Sequence, residues 1–254
     1  MSADLYPVPE KFAATARIRH DDYERLYADS LRDPDAFWGE AARRLDWMRA
    51  PTQVKDVSYD LEDFRIRWFA DGELNASVNC LDRHLAARGD KTALIFEPDS
   101  PDAPAQRISY RELYERVCRL GNALRNLGVA KGDRVTIYLP MTPDAVVAML
   151  ACARIGAVHS VVFGGFAPQS IADRVHDCQS KLIITADEGL RGGKRVPLKA
   201  NVDAALKLPG TNSVETVLVV RHTDGAVDMQ MPRDRWYDAV VDAQPADCEP
   251  ARMN

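Results

Sequence analysis

Between residues 134 and 220, short apolar, β-rich runs alternate with segments of helical periodicity, and that alternation leaves the chain few architectures. Residues 134–139, 158–163, 182–185 and 216–220 read as strands, and residues 143–155, 168–178 and 197–206 between them read as helices. Strands joined through helices of this length form right-handed crossovers, so neighbouring strands run parallel and the helices cover the sheet. The expected fold is α/β, with a mostly parallel sheet carrying helices on both faces.

Local signals sharpen the element ends. Ser109 and Glu112 have capping-box spacing, Leu113, Val117, Leu120, Leu124 and Leu127 recur at helical intervals, and Gly128 takes the position just past the helix. Thr142 and Pro143 supply a cap and a first-turn proline for the next helix, which Gly156 stops. Ahead of this series come strands over 92–96 and 106–109, separated by an acidic, Pro-rich loop over 98–104. Residues 21–48 read as two amphipathic helices, the second entered through Pro34 and anchored by Phe37, Trp38, Leu45 and Trp47. Residues 56–79 read as irregular, a helix returns over 77–86, and the chain beyond Arg221 is polar and turn-rich. Two regions follow: a helical and irregular extension over 1–75, and an α/β portion over 76–254.

A net charge of −5 argues against a nucleic-acid partner, which calls for a basic face. The start lacks a basic n-region and an apolar h-region, and the most apolar helical run, 146–155, carries Arg154 and ends at Gly156, so neither export nor membrane insertion is expected. Five scattered cysteines, Cys80, Cys118, Cys152, Cys178 and Cys248, without a C-x-x-C pair fit free buried thiols in a reducing cytoplasm. His20, His84, His159, His176 and His222 show no metal-ligand spacing, and His159 reads as a core residue on a strand. Met141 and Met149 read as core filler, and Asp99 and Asp102 as a solvated acidic loop.

Chemistry concentrates in two glycine loops that follow strands, where open α/β sheets collect ligands. Arg191, Lys194, Arg195 and Lys199 lie within nine residues, and Gly192-Gly193 lets backbone approach a ligand closely. Planar guanidinium forks, a mobile ammonium and a following helix start suit a phosphate, although a solvated charged loop has the same composition. The loop is not a phosphate-cradling Walker A motif, because Glu188 and Arg195 stand where that motif needs glycine and Ser or Thr. Phe163, Gly164 and Gly165, with Phe166, could admit a flat ligand against backbone and ring, or could be a tight turn between core phenylalanines.

Several longer stretches carry a resemblance: residues 68–75, 79–85, 108–113, 138–141, 153–166 and 191–194. Together they closely resemble the acyl-adenylate-forming, AMP-binding ligases, and among these the enzymes that activate acetate. The resemblance implies a carboxylate joined to ATP, with Mg2+, as an acyl-adenylate with release of diphosphate, then acyl transfer to coenzyme A. It implies that Arg191, Gly192, Gly193 and Lys194 meet the phosphorylated nucleotide end of coenzyme A, with Phe163, Gly164 and Gly165 bordering its adenine. Lys194 stands where many members carry arginine, which keeps the charge and gives up bidentate geometry. The family's ATP-phosphate loop, ribose-binding aspartate, acetate-selecting tryptophan and mobile domain with its adenylating lysine have no counterpart here. The expectation is an N-terminal portion of such a ligase, inactive alone. The alternatives are a non-catalytic α/β binding module or a ligase for another short acid such as propionate.

Overall fold

The computed structural model describes residues 6–254, so residues 1–5, which carry part of the reading of the amino-terminal lead, lie outside the described residues. The chain divides into two compact units, Met1–Gly72 and Glu73–Asn254.

The first unit contains helices α1 (Glu10–Thr15), α2 (His20–Arg32) and α3 (Pro34–Ala42), then strands β1 (Lys55–Ser58) and β2 (Arg65–Trp68). Asp33 caps α3 by accepting from the Ala36 amide at 3.0 Å, one residue ahead of the proline that opens the helix. Trp38 and Leu45, expected as anchors, are exposed, while Phe37 and Trp47 are half-buried. The segment expected to be irregular contains the antiparallel β1–β2 pair. Its strands alternate charge with apolar residues and cross-link through Arg65 to Asp56 at 2.7 Å, so hydrophobic content alone did not mark it.

The second unit opens with a wide π-helical turn, Val78–Asp82, that runs into α4 (Arg83–Arg88). Strands β3 (Thr92–Phe96) and β4 (Gln106–Ser109) form an antiparallel pair of their own, apart from the main sheet. Helix α5 (Tyr110–Asn126) has the expected capping box: the Ser109 hydroxyl accepts from the Glu112 amide at 3.2 Å, and Glu112 accepts from the Ser109 amide at 2.7 Å. At its far end Val129 N–H donates to Leu124 C=O and Gly128 N–H to Arg125 C=O, the pairing that closes a helix through a left-handed glycine.

The alternation then proceeds through β5 (Arg134–Tyr138), α6 (Pro143–Ile155), β6 (Val158–Val161), α7 (Pro168–Cys178), β7 (Leu182–Ala186), β8 (Gly189–Arg191), β9 (Lys194–Val196), α8 (Leu198–Ala205), β10 (Thr216–Val220), β11 (Asp234–Trp236) and α9 (Tyr237–Val241). Thr142 precedes α6 as expected, but its hydroxyl is buried without a partner and makes no cap. Gly156, with φ 78°, ends that helix. Five parallel strands lie in the order β6-β5-β7-β10-β11. All residues of β7 and β10 are buried, as strands covered on both faces must be. The step from β5 to β6 goes one way and the step from β6 to β7 returns past β5, so right-handed crossovers put α6 on one face and α7 with α8 on the other. Strand β6 is therefore an edge, and His159, expected in the core, is exposed on it.

Two elements lie in the polar stretch beyond Arg221 that sequence patterning left without structure. Strand β11 extends the sheet, and α9 packs on α5. The chain then follows α5 to its end, because side chains of that helix take its carbonyls: Arg119 donates to Gln244 at 2.7 Å, Asn122 to Asp247 at 2.8 Å, and Arg125 to Glu249 at 2.8 Å. Buried Arg154 holds the same segment from α6, donating to Cys248 C=O at 2.6 Å and pairing with Asp82 at 2.8 and 3.0 Å.

Strand β11 is pinned by a buried charge cluster. The Lys199 ammonium, wholly buried, meets Asp203 and the equally buried Asp234 at 2.7 Å each, and donates to Asp228 C=O at 2.7 Å. Burial pushes the Asp234 carboxyl up, but Arg233, Lys199 and the Gln230 amide outweigh it and hold the group below the usual carboxylate range. Removing one partner of such a cluster leaves buried charge behind, so Lys199→Met should destabilise the fold by about 3 kcal/mol in urea unfolding. Because the folded-state value is depressed, the Asp234 contribution is complete at neutral pH and is lost as pH falls through the carboxylate range. Stability measured against pH should decline on the acid side less steeply in the variant.

Candidate ligand site at the carboxyl edge of the sheet

Strands β5 and β7 are neighbours whose connections leave in opposite directions, and such a reversal opens a crevice beyond the strands' carboxyl ends. Three segments converge there: residues 139–142 after β5, residues 162–166 after β6, and the β8–β9 hairpin after β7. They line a cavity of ≈ 570 Å³ whose wall is mainly apolar, with Leu139, Met141, Val146, Val161, Phe163 and Leu198 among its residues. Met141 is 85% exposed at this rim, so it is not the core filler its sequence context implied.

The Phe163–Phe166 loop is held from below. Tyr138, the last residue of β5, is buried and sends its hydroxyl to Phe166 C=O at 2.8 Å and Gly164 C=O at 3.3 Å, and it accepts from Asn201 on α8 at 3.1 Å. Burial pushes the Tyr138 phenol up, so it remains a donor throughout the physiological range. A Cβ on Gly164 would lie 3.2 Å from Leu139 C=O, and one on Gly165 would lie 2.8 Å from the Phe163 ring. Both glycines therefore permit close approach. The two phenylalanines are not core residues: Phe163 is 51% and Phe166 39% exposed, their rings meeting edge to face at 5.8 Å. Sequence reasoning missed Tyr138 and Asn201, whose only signal is a hydroxyl and an amide at the ends of two elements that must face the same loop.

The basic loop is a β-hairpin. Arg191 and Lys194 are cross-strand partners, and Gly192 (φ 55°) and Gly193 (φ 73°) form the two-residue turn, both in the left-handed region that hairpin turns of this type require. The four expected cations separate. Lys199 is buried in the cluster under β11, out of reach of a ligand at the hairpin tip, and Arg195, though exposed, pairs with Glu188. Arg191 and Lys194 remain, exposed and side by side, with the Arg191 guanidinium 5.3 Å from the Phe163 ring centroid. The turn amides are not open either. Asp99, expected to be simply solvated, accepts from Gly192 N–H and Gly193 N–H at 2.9 Å each, and these two bonds hold its carboxyl below the usual range.

The arrangement couples an apolar cavity, an exposed aromatic face and two adjacent cations, which suits a ligand with a flat apolar part and an anionic group. Among the described residues no group of three metal-ligating side chains is placed to hold an ion, and no helix is long and apolar enough to cross a membrane.

Comparison with known proteins shows the family of the chain. The AMP-binding enzyme family model matches residues 81–252, and a model of the acetyl-coenzyme A synthetase N-terminus matches residues 23–80. The chain belongs to the AMP-binding enzyme family. It is 77% identical over 252 residues to an acetyl-coenzyme A synthetase of Xanthomonas campestris pv. campestris and 70% identical to one of Xylella fastidiosa, in each case over 99% of this chain and 39% of the relative. An acetyl-coenzyme A synthetase of Psychrobacter cryohalolentis is 56% identical over 100% of this chain and 39% of its own length. The chain thus spans about two fifths of the relatives it matches. The acetoacetyl-CoA synthetase from Streptomyces lividans shares the fold, with a TM-score of 0.81 at 24% identity over 96% of this chain and 37% of that one.

A β-branched residue in a left-handed turn is strained by about 1–2 kcal/mol. Gly193→Val should therefore loosen the hairpin locally, with faster amide hydrogen exchange at Arg191 and Lys194, the hydrogen-bonded pair flanking the turn, and unchanged exchange in α5.

Proposed function

We propose that this chain is the N-terminal part of an AMP-forming acetate:coenzyme A ligase and supplies one face of its coenzyme A nucleotide site. In this reading residues 1–75 are an extension and residues 76–254 the first part of the large domain. The complete enzyme converts acetate, ATP and coenzyme A into acetyl-coenzyme A, AMP and diphosphate through acetyl-adenylate, with Mg2+ on the nucleotide. The acetate assignment rests on the relatives' names. The chain by itself is inactive in this reading. A cytoplasmic setting fits five free cysteines, although only Cys118, Cys152 and Cys248 are buried as expected, Cys80 being exposed and Cys178 half-buried.

The observation that carries the proposal is the paired Arg191 and Lys194 on a tight turn, with Arg191 stacked on Phe163 beside the cavity. The two cations would take a phosphate of coenzyme A, and Phe163, Gly164 and Gly165 would border the adenine, with Gly192 and Gly193 shaping the tip. An exposed anion partner is desolvated little, and a charge-assisted bond of this kind contributes about 1.5–2 kcal/mol. Arg191→Ala in the full-length enzyme should then raise the KM for coenzyme A roughly tenfold while acetate-dependent ATP–diphosphate exchange continues. Titration calorimetry with coenzyme A and its 3′-dephospho form tests the phosphate directly: equal affinities would remove the assignment.

A further inference from the structure

The hairpin tip carries its own anion. Asp99 Oδ1 accepts from the Gly192 amide and Oδ2 from the Gly193 amide, both at 2.9 Å, so each carboxylate oxygen takes one N–H of the turn. The contact joins segments 93 and 94 residues apart in sequence. Asp99 lies in the β3–β4 connection, where Pro98, Pro101 and Pro104 narrow the backbone's freedom and so limit how far the carboxylate can wander from the turn.

The hairpin needs such a contact. Strands β8 and β9 are three residues each and form a sheet with no other strand, and isolated two-stranded hairpins are marginal in water. Arg191 and Lys194 stand directly opposite each other, and like charges in that relation push the strands apart. A carboxylate bonded to both turn amides opposes the repulsion from the backbone side and leaves the two side chains unspent. The amides, by contrast, are occupied.

We propose that Asp99 is a positioning residue for phosphate recognition, latching the Gly192-Gly193 turn so that the phosphate is bound by the Arg191 and Lys194 side chains and not by the turn amides. The proposal deepens the coenzyme A reading above and rests on it for the identity of the ligand. The latch itself is a property of the apo hairpin and can be measured without ligand.

The test compares Asp99→Asn with Asp102→Asn in the full-length enzyme, the second removing the same charge from the same loop without removing an acceptor from the two glycine amides. Asp99→Asn should speed hydrogen exchange at Gly192 and Gly193 at least tenfold, raise the KM for coenzyme A five- to tenfold with kcat retained within twofold, and leave the KM for 3′-dephospho-coenzyme A unchanged. Asp102→Asn should do none of these. Gly193→Val, which disturbs the same turn from its own backbone, should reproduce the KM shift if Asp99→Asn proves too unstable to assay. A lower KM for coenzyme A in Asp99→Asn would overturn the proposal, because the carboxylate would then be competing with the phosphate. Unchanged exchange at the two glycines would overturn the latch whatever coenzyme A does. If Arg191→Ala leaves the KM for coenzyme A unaltered while Asp99→Asn still speeds exchange, the latch stands and the coenzyme A reading fails.

Discussion

Burial of strand β7 between β5 and β10 is the constraint on which the second unit depends. Its five residues, Leu182–Ala186, are covered on both faces, and each large aliphatic side chain so placed contributes about 1.5–3 kcal/mol relative to exposure. The register that buries them also aligns Tyr138 with Thr185 and Val220 with Ala186, so the carboxyl ends of three strands finish level. Asp187, the next residue, is buried and accepts the amides of His222, Thr223 and Gly225, which ties the loop after β10 to the end of β7. The β8–β9 hairpin then leaves from a fixed platform. Its strands are too short to set their own direction, so their placement is inherited from β7.

Charged groups in this unit divide by burial. Under the sheet they are matched in clusters, as with Lys199, Asp203, Arg233 and Asp234, or Arg154 and Asp82, where an unpaired member would carry a large desolvation cost. At the carboxyl edge the cations lie in solvent, where an ion pair contributes little to stability and a charge can be kept for a ligand. Lys194 and Lys199, five positions apart, show how sharply this changes within one loop and its following helix, the first exposed and the second wholly buried. Charge density along a sequence does not distinguish the two situations. Strand alternation and the helix start do, once their geometry is known.

Much of the frame was legible because its signals are local. The Ser109–Glu112 capping box, the glycines at 128 and 156, and the strand runs in β5, β7 and β10 are each decided within a few residues by backbone hydrogen bonding or uninterrupted burial. Other elements escaped for opposite reasons. The β1–β2 pair is held by cross-strand charges as much as by apolar contact, and the segment after α9 has no pattern of its own because α5 side chains satisfy its carbonyls. His159 and Met141 were misplaced by treating every strand-like or apolar position as interior, when β6 is an edge and residues 139–142 form a rim.

Taken alone, the sequence determined the α/β class, the parallel sense of the strands, the two glycine turns and the cations that flank one of them. These depend on periodicity, chirality and the steric freedom of glycine, all of which act over short stretches of chain. Tertiary structure alone decided which cations face solvent, that Phe163 is exposed under Arg191, that Tyr138 supports the loop beside it, and that Asp99 occupies the turn amides. Those outcomes depend on which distant segments the buried sheet brings together. An electrostatic or hydrogen-bond partner is specified by distance in space, which the order of residues does not encode directly.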